Sequence, residues 1–264
     1  MPASAKEWSS DPFVATEKNN KVYGRGSCDM KGFIACTLAL APYFASQNLK
    51  KPIHFSFTYD EETACQGAPI MIRELKKRNI NCSICFVGEP TSMKIIQAHK
   101  GCYEYSTHFT GLAGHSSAPH KGVRAVAYAA RYVNKLIELR QKLIYRAPKD
   151  SMFDPPDSTL QIGGVFGGIE HNVIADKCHV NWETRTVVTE DGVLLNTELD
   201  KYANEVLLPE NMKIYPNYSI KKKSIGEIIG FDRDTESEAC ELVSSLTGDN
   251  SREVASSGTE DGLF

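Results

Sequence analysis

Residues 53–62, IHFSFTYDEE, constrain the fold more than any other stretch of the chain. Ile53, Phe55, Phe57 and Tyr59 alternate with polar residues, the period of a half-buried strand. Asp60, Glu61 and Glu62 follow at once. Adjacent carboxylates raise one another's pKa, so a strand ending in three of them is either a solvated acidic turn or the rim of a site that holds a cation. The pattern predicts a sheet with its chemistry gathered at a strand end.

The flanking segments extend that expectation. In GRGSCDMKG, glycines 24, 26 and 32 allow a tight backbone path into an apolar run, 33–44, with the length of a buried helix. Asp29 then stands near a helix N-terminus, where it reads as a cap or as a site carboxylate. After the acidic cluster, 64–78 has a helical pattern ending in Lys76, Lys77 and Arg78, cations suited to a helix C-terminus. An apolar, strand-like segment at 82–87 leads into Gly88-Glu89-Pro90-Thr91. The order helix, strand, helix, strand predicts an α/β layer with a largely parallel sheet, its loops bringing Asp29, Glu61, Glu62 and Glu89 to one edge. Four acidic groups converging there imply a metal.

From about residue 95 the character changes. Strands at 103–109, 158–165, 178–188 and 212–218, with helices at 122–144 and 194–208, give a βαββαβ order, a two-layer α+β insert. The first of these helices follows the turn Gly114-His115-Ser116-Ser117-Ala118-Pro119 and shows an apolar stripe of Val126, Ala129, Ala130, Val133, Leu136 and Ile137. Near the end, Thr235-Glu236-Ser237-Glu238 has capping-box spacing ahead of Ala239, Leu242, Val243 and Leu246 at helical intervals. The chain is expected to divide into 1–97, 98–218 and 219–264, the outer two forming one domain around the insert.

Charge and cysteine usage exclude other classes. A net charge of -3 and a pI near 6.2 offer no basis for binding nucleic acid or an anionic membrane. No apolar run is long enough to span a bilayer and residues 1–13 lack an apolar signal core, so a cytoplasmic protein is expected. The eight cysteines are scattered. Cys82 and Cys85 have CxxC spacing but no second pair at zinc-ribbon distance, and they read as buried thiols.

Taken together, GRGSCDMKG at 24–32, TYDEE at 58–62, VGEPT at 87–91, GHSSAP at 114–119 and GGIEHNVIADKCHVNWETR at 167–185 resemble the dinuclear zinc amidohydrolase and aminopeptidase-like family. Its members include acetylornithine deacetylase, succinyl-diaminopimelate desuccinylase and aminoacylase. The resemblance covers nearly the whole chain and is specific in the joint order and spacing of the motifs. YDEETACQGA, VGEPTSMKIIQAHKG, FDPPDSTLQIGG and the final GTEDGLF look most like the acetylornithine deacetylase branch.

The resemblance implies an α/β, zinc-aminopeptidase-like (phosphorylase/hydrolase-like) catalytic domain with an inserted ferredoxin-like α+β lid that also makes a homodimer. It implies two divalent ions, zinc or cobalt, bridged by Asp29, with Glu62 on one and Glu89 on the other. Glu61 would be the general base, with Asp60 in support. His115 would stabilise the oxyanion in a partner subunit's site, and Asn172, Arg185 and Thr259 would bind the substrate. That substrate would be a small N-acyl amino acid, N2-acetyl-L-ornithine first, with a desuccinylase or general aminoacylase as alternatives. A reading of another class is a catalytically incomplete fragment that only dimerises. The family's His-x-Asp motif before the GRG segment has no counterpart here, since the first histidine is His54, and its C-terminal histidine ligand would lie beyond Phe264. The resemblance therefore implies a chain truncated at both ends.

Overall fold

A computed structural model describes residues 8–63, 65–232 and 237–263. The fold is mixed α/β, and the chain forms two compact units: Met1–Ile96 with Glu236–Arg252, and Gln97–Thr235 with Glu253–Leu263.

The first unit opens with a hairpin, β1 (Thr16–Lys18) and β2 (Lys21–Tyr23). Asn19 and Asn20 at its tip have φ of 53° and 58°, the left-handed pair that the tight two-residue turns of hairpins require. A turn at Ser27–Lys31 leads into α1 (Gly32–Ala45), the expected helix, yet none of its residues is buried. The strands expected at 53–59 and 82–87 do not form: both segments lack ladder pairing. Ile53, Phe55, Phe57 and Tyr59 are between 39% and 58% exposed. Alternation supplies an apolar face, but a strand also needs a neighbouring strand's ladder of N–H and C=O groups, and neither segment is part of a ladder. Residues 53–59 instead border a groove with Ile70, Met71 and Leu75 of α2 (Gly67–Lys77). Ala64, at the expected start of that helix, lies outside the described residues. The expected parallel sheet is likewise not observed, since every pairing with a described register is antiparallel.

The second unit contains β3 (Ile96–His99), β4 (Gly101–Thr110), β5 (Gly114–His115) and α3 (Ala125–Tyr145). It continues with β6 (Thr159–Gly167), β7 (Val173–Ile174), β8 (Lys177–Thr186) and α4 (Thr189–Tyr202). After α4 a turn of π-helix runs into α5 (Leu208–Met212), and β9 (Ser219–Ile228) completes the sheet. Its order is β6-β8-β4-β9. The strand expected at 212–218 is displaced to β9, because Asn211 keeps the chain turning: its side-chain amide donates to Leu207 O, and the amides of Ile214 and Tyr215 donate to its carbonyl.

The core lies between this sheet and the helices. α3 buries Ala125, Ala129, Tyr132, Leu136, Leu139 and Leu143, alternating steps of four and three that place them on one face. The expected stripe was rotated too far, and Val126, Ala130 and Ile137 are exposed. Opposite them stand Tyr105, Phe109, Val180 and Trp182, with Leu195, Leu199 and Leu207 closing the layer. Each large side chain so buried contributes about 1.5–3 kcal/mol. The polar atoms that enter this layer are paired: Trp182 Nε1 donates to Thr107 Oγ1 at 3.0 Å, and Thr107 reaches Tyr132 Oη at 3.4 Å.

α6 (Glu238–Thr247) is capped by Ser237, whose Oγ accepts from Cys240 N at 3.4 Å. Thr235 and Glu236, half of the expected capping box, lie outside the described residues. β10 (Glu253–Ala255) pairs with β3. No helix among the described residues is long and apolar enough to cross a membrane.

Candidate active site

In the first unit the motif loops are tightly drawn. Asp29 lies in the Ser27–Lys31 turn, off helical geometry at φ -117° and ψ 97°, and its side chain is exposed. A Cβ on Gly32 would lie 2.8 Å from Ser27 O, so this close turn requires glycine. A Cβ on Gly88 would lie 2.4 Å from the Phe33 ring, which shows that the loop carrying Glu89 presses on the first turn of α1, just after Asp29.

Glu61 and Glu62 begin a 3-10 turn, Glu61–Thr63, with Glu62 exposed and Glu61 half-buried. Cys65, 1% exposed, sits beneath it: its amide donates to Glu61 O at 3.1 Å, and its thiol lies 3.9 Å from Glu61 Oε1. The thiol is a neighbour that the sequence reading missed, although the i,i+4 spacing from Glu61 was there to be read. Gly67 N donates to Tyr59 O at 3.1 Å and closes the acidic loop at its base.

The donor chemistry of Asp29, Glu62 and Glu89 suits a divalent cation, since all three offer carboxylate oxygens. Their ligand atoms are not gathered within 4.8 Å as a set of three; the set so gathered among the described residues is Cys102, Glu104 and Glu183, on the second unit.

There the expected site residues separate into two pairs. His115 on β5 faces Val173 on β7, and the Ser116 amide donates to Asn172 O at 2.9 Å, which brings the His115 and Asn172 loops together. Ser117 N donates to His115 Nδ1 at 3.3 Å, and the Ser117 hydroxyl lies 2.8 Å from the same nitrogen. With Nδ1 engaged by Ser117, Nε2 is the ring nitrogen left to face solvent.

Arg185 lies near the opposite end of β8, roughly 25 Å away at the rise of a strand. It pairs with Glu183 at 3.0 Å and stands across from Cys102. Burial alone would lower its pKa, but the Glu183 hydrogen bond, with Cys102 and Glu104 nearby, raises it on balance. The final loop reaches the same end of the sheet: a Cβ on Gly258 would lie 3.6 Å from Cys102 Cβ, and the neighbouring Thr259 is buried. Another buried cation was not anticipated. Lys100, 1% exposed, donates to the carbonyls of Pro155 and Asp157 at 2.8 and 2.9 Å, and burial pulls its pKa below the ordinary lysine range.

The whole chain, residues 1–264, matches the family model described as Peptidase family M20/M25/M40. The chain belongs to this family. Among curated M20 relatives it is 33% identical to acetylornithine deacetylase from Erwinia tasmaniensis over 252 residues, covering 94% of this chain and 62% of that protein. It is likewise 33% identical to acetylornithine deacetylase from Salmonella typhimurium over 248 residues, covering 94% and 62%. The chain thus spans about 62% of the length of these relatives. Its fold is similar to that of a tripeptidase from Staphylococcus aureus, with a TM-score of 0.68 at 17% identity, covering 95% of this chain and 64% of that one. It also resembles human carnosine dipeptidase 1, with a TM-score of 0.60 at 15% identity, covering 98% and 67%.

Proposed function

We propose that this M20 chain carries the central part of an amide hydrolase that converts N2-acetyl-L-ornithine and water to ornithine and acetate. The observation that supports the reading best is the 33% identity to acetylornithine deacetylases over 94% of the chain. Asp29, Glu62 and Glu89 would hold two divalent ions, zinc or cobalt, which when bound supply Lewis acidity and lower the pKa of a coordinated water.

Glu61, held half-buried over the Cys65 thiol, takes a proton from the attacking water and returns it to the nitrogen of the breaking C–N bond. The water oxygen goes to the acetyl carbon, and the amine leaves as ornithine. The Nε2 proton of His115 serves the oxyanion, and the fork of Arg185 suits a substrate carboxylate once it turns from Glu183. Asn172 and Thr259 complete the substrate contacts. Residues 98–218, within the second unit, would act as the inserted lid. A homodimer through this lid is supported by exposed Val126, Ile137 and Ile144 on α3 beside the free edge of β6.

The test measures release of acetate from N2-acetyl-L-ornithine with added Zn(2+) or Co(2+), on the 264-residue chain and on a version extended to the length of the relatives. N-succinyl-diaminopimelate and N-acetylmethionine serve as competitors. Turnover highest on N2-acetyl-L-ornithine, falling about 10²–10⁴-fold in Glu61→Gln, is expected. Absence of amide hydrolysis on all three substrates in both versions would overturn the proposal, and a preference for a competitor would replace its substrate.

A further inference from the structure

Cys102, Glu104 and Glu183 belong to none of the roles above, yet the sheet assembles them. Cys102 and Glu104 are two apart on β4, and Glu183 stands directly opposite Glu104 on β8, so all three side chains leave one face. That face is not the one covered by the α3 layer, which takes Tyr105, Phe109, Val180 and Trp182. The Cys102 sulfur and one oxygen from each carboxylate all lie within 4.8 Å of one another.

Two like charges directly opposite in an antiparallel pair repel, and a structure retains them where something compensates. Arg185 bonds Glu183 at 3.0 Å and acts on Glu104 only through space, and Glu104 has no ion pair or hydrogen bond of its own among the described residues. Cys102 is a second, independent indication. It is a free thiol, 5% exposed, with no hydrogen bond of its own among the described residues, and it is aimed at the two carboxylates. Glu104 and Glu183 also line an open depression of about 580 Å³ on this face, which gives small solutes access.

We propose that Cys102, Glu104 and Glu183 form a binding site for one zinc-like divalent cation, separate from the Asp29, Glu62 and Glu89 set. On binding, the thiol proton passes to solvent and a sulfur–metal bond forms without any change of oxidation state. Three anionic ligands on a dication leave one negative charge, which the Arg185 guanidinium neutralises while it rests on Glu183. The thiolate selects zinc or cobalt over magnesium or calcium, and three protein ligands leave a position open toward the depression for water or a small ligand.

The experiment titrates the reduced, chelator-stripped chain with Co(2+) and follows the near-ultraviolet thiolate-to-cobalt charge-transfer band, which an all-carboxylate site lacks. A band saturating at one cobalt per chain, lost in Cys102→Ser and discharged by Zn(2+), is expected. Glu104→Gln and Glu183→Gln keep the thiol and should weaken binding beyond the roughly 10–100-fold typical of losing an outer-shell partner. These two variants decide the matter if Cys102→Ser fails to fold. The proposal is overturned if no band develops, if it persists unchanged in Cys102→Ser, or if both glutamine variants bind as the parent does. The readout is independent of turnover, so its failure leaves the proposed hydrolase reading untouched.

Discussion

In the second unit α3 buries Leu136, Leu139 and Leu143 almost completely, whereas in the first unit α1 carries an apolar run from Phe33 to Phe44 and buries none of it. The contrast is one of patterning. α3 concentrates its apolar residues on one face, so a single sheet suffices to cover them. α1 is apolar nearly all round, a composition suited to cover on both sides, and Leu38 and Leu40 are 54% and 50% exposed. Periodicity tells where a helix will point its load, while burial depends on what is placed against it.

The largest effect should come from breaking the covered helix. Leu136→Ala leaves a cavity where a fully buried side chain stood and should cost about 2–5 kcal/mol. Leu38→Ala, on the uncovered helix, should stay within about 0.5 kcal/mol. Denaturant unfolding followed by far-ultraviolet circular dichroism, which registers the helices of both units, measures both. Equal losses at the two positions would show that α1 is as well packed in solution as α3 and would erase the contrast.

The same difference explains what could be read in advance. β4, β6 and β8 and the presence of α3 were legible from their periods of two and about 3.6, whereas the short strands β3, β5, β7 and β10, the place of β9 and the face that α3 buries were not. The segments at 53–59 and 82–87 have equally good strand patterns, but a pattern does not supply the hydrogen-bonding neighbour. The proposed site residues Asp29, Glu61 and His115 stand out only as residue types at motif spacing. What was hidden is long-range juxtaposition: Cys102 and Glu104 meet Glu183 only through the β4–β8 register, and Cys65 comes under Glu61 only through the turn that follows it.

A smaller effect sharpens the reading of charge within the second unit. Lys221-Lys222-Lys223 reads as one basic run, yet strand alternation divides it. Lys222 turns toward the helices, with Nζ 2.7 Å from both Asn196 Oδ1 and Asp200 Oδ1 and lying over the Tyr105 ring. Lys221 and Lys223 are exposed on the other face. Lys222→Ala should cost about 1 kcal/mol, because it removes a charged hydrogen bond that is only partly screened. Lys221→Ala should be nearly neutral. The paired unfolding midpoints check this, and similar losses would mean that the run acts as a single charged patch.

The smallest effect concerns Asp261, in the loop that closes on the second unit. Its Oδ1 is buried without a hydrogen-bond partner, and burial raises the carboxyl above its ordinary value of 3.8, with His99 and the Thr259 hydroxyl opposing that shift. The sign follows from proton counting. Between 3.8 and the raised value the folded chain holds more protons on this group than the unfolded chain, so the stability it contributes is full below 3.8 and is lost as pH rises through the folded pKa. Asp261→Asn cannot ionise and should escape the loss. The gap in thermal midpoint between variant and parent should be near zero at the acid end, open in the variant's favour as pH rises, and level off once the buried carboxyl is fully charged. A gap that is constant across the range would mean that Asp261 is hydrated in solution and that this loop is packed no better than the exposed apolar segments of the first unit.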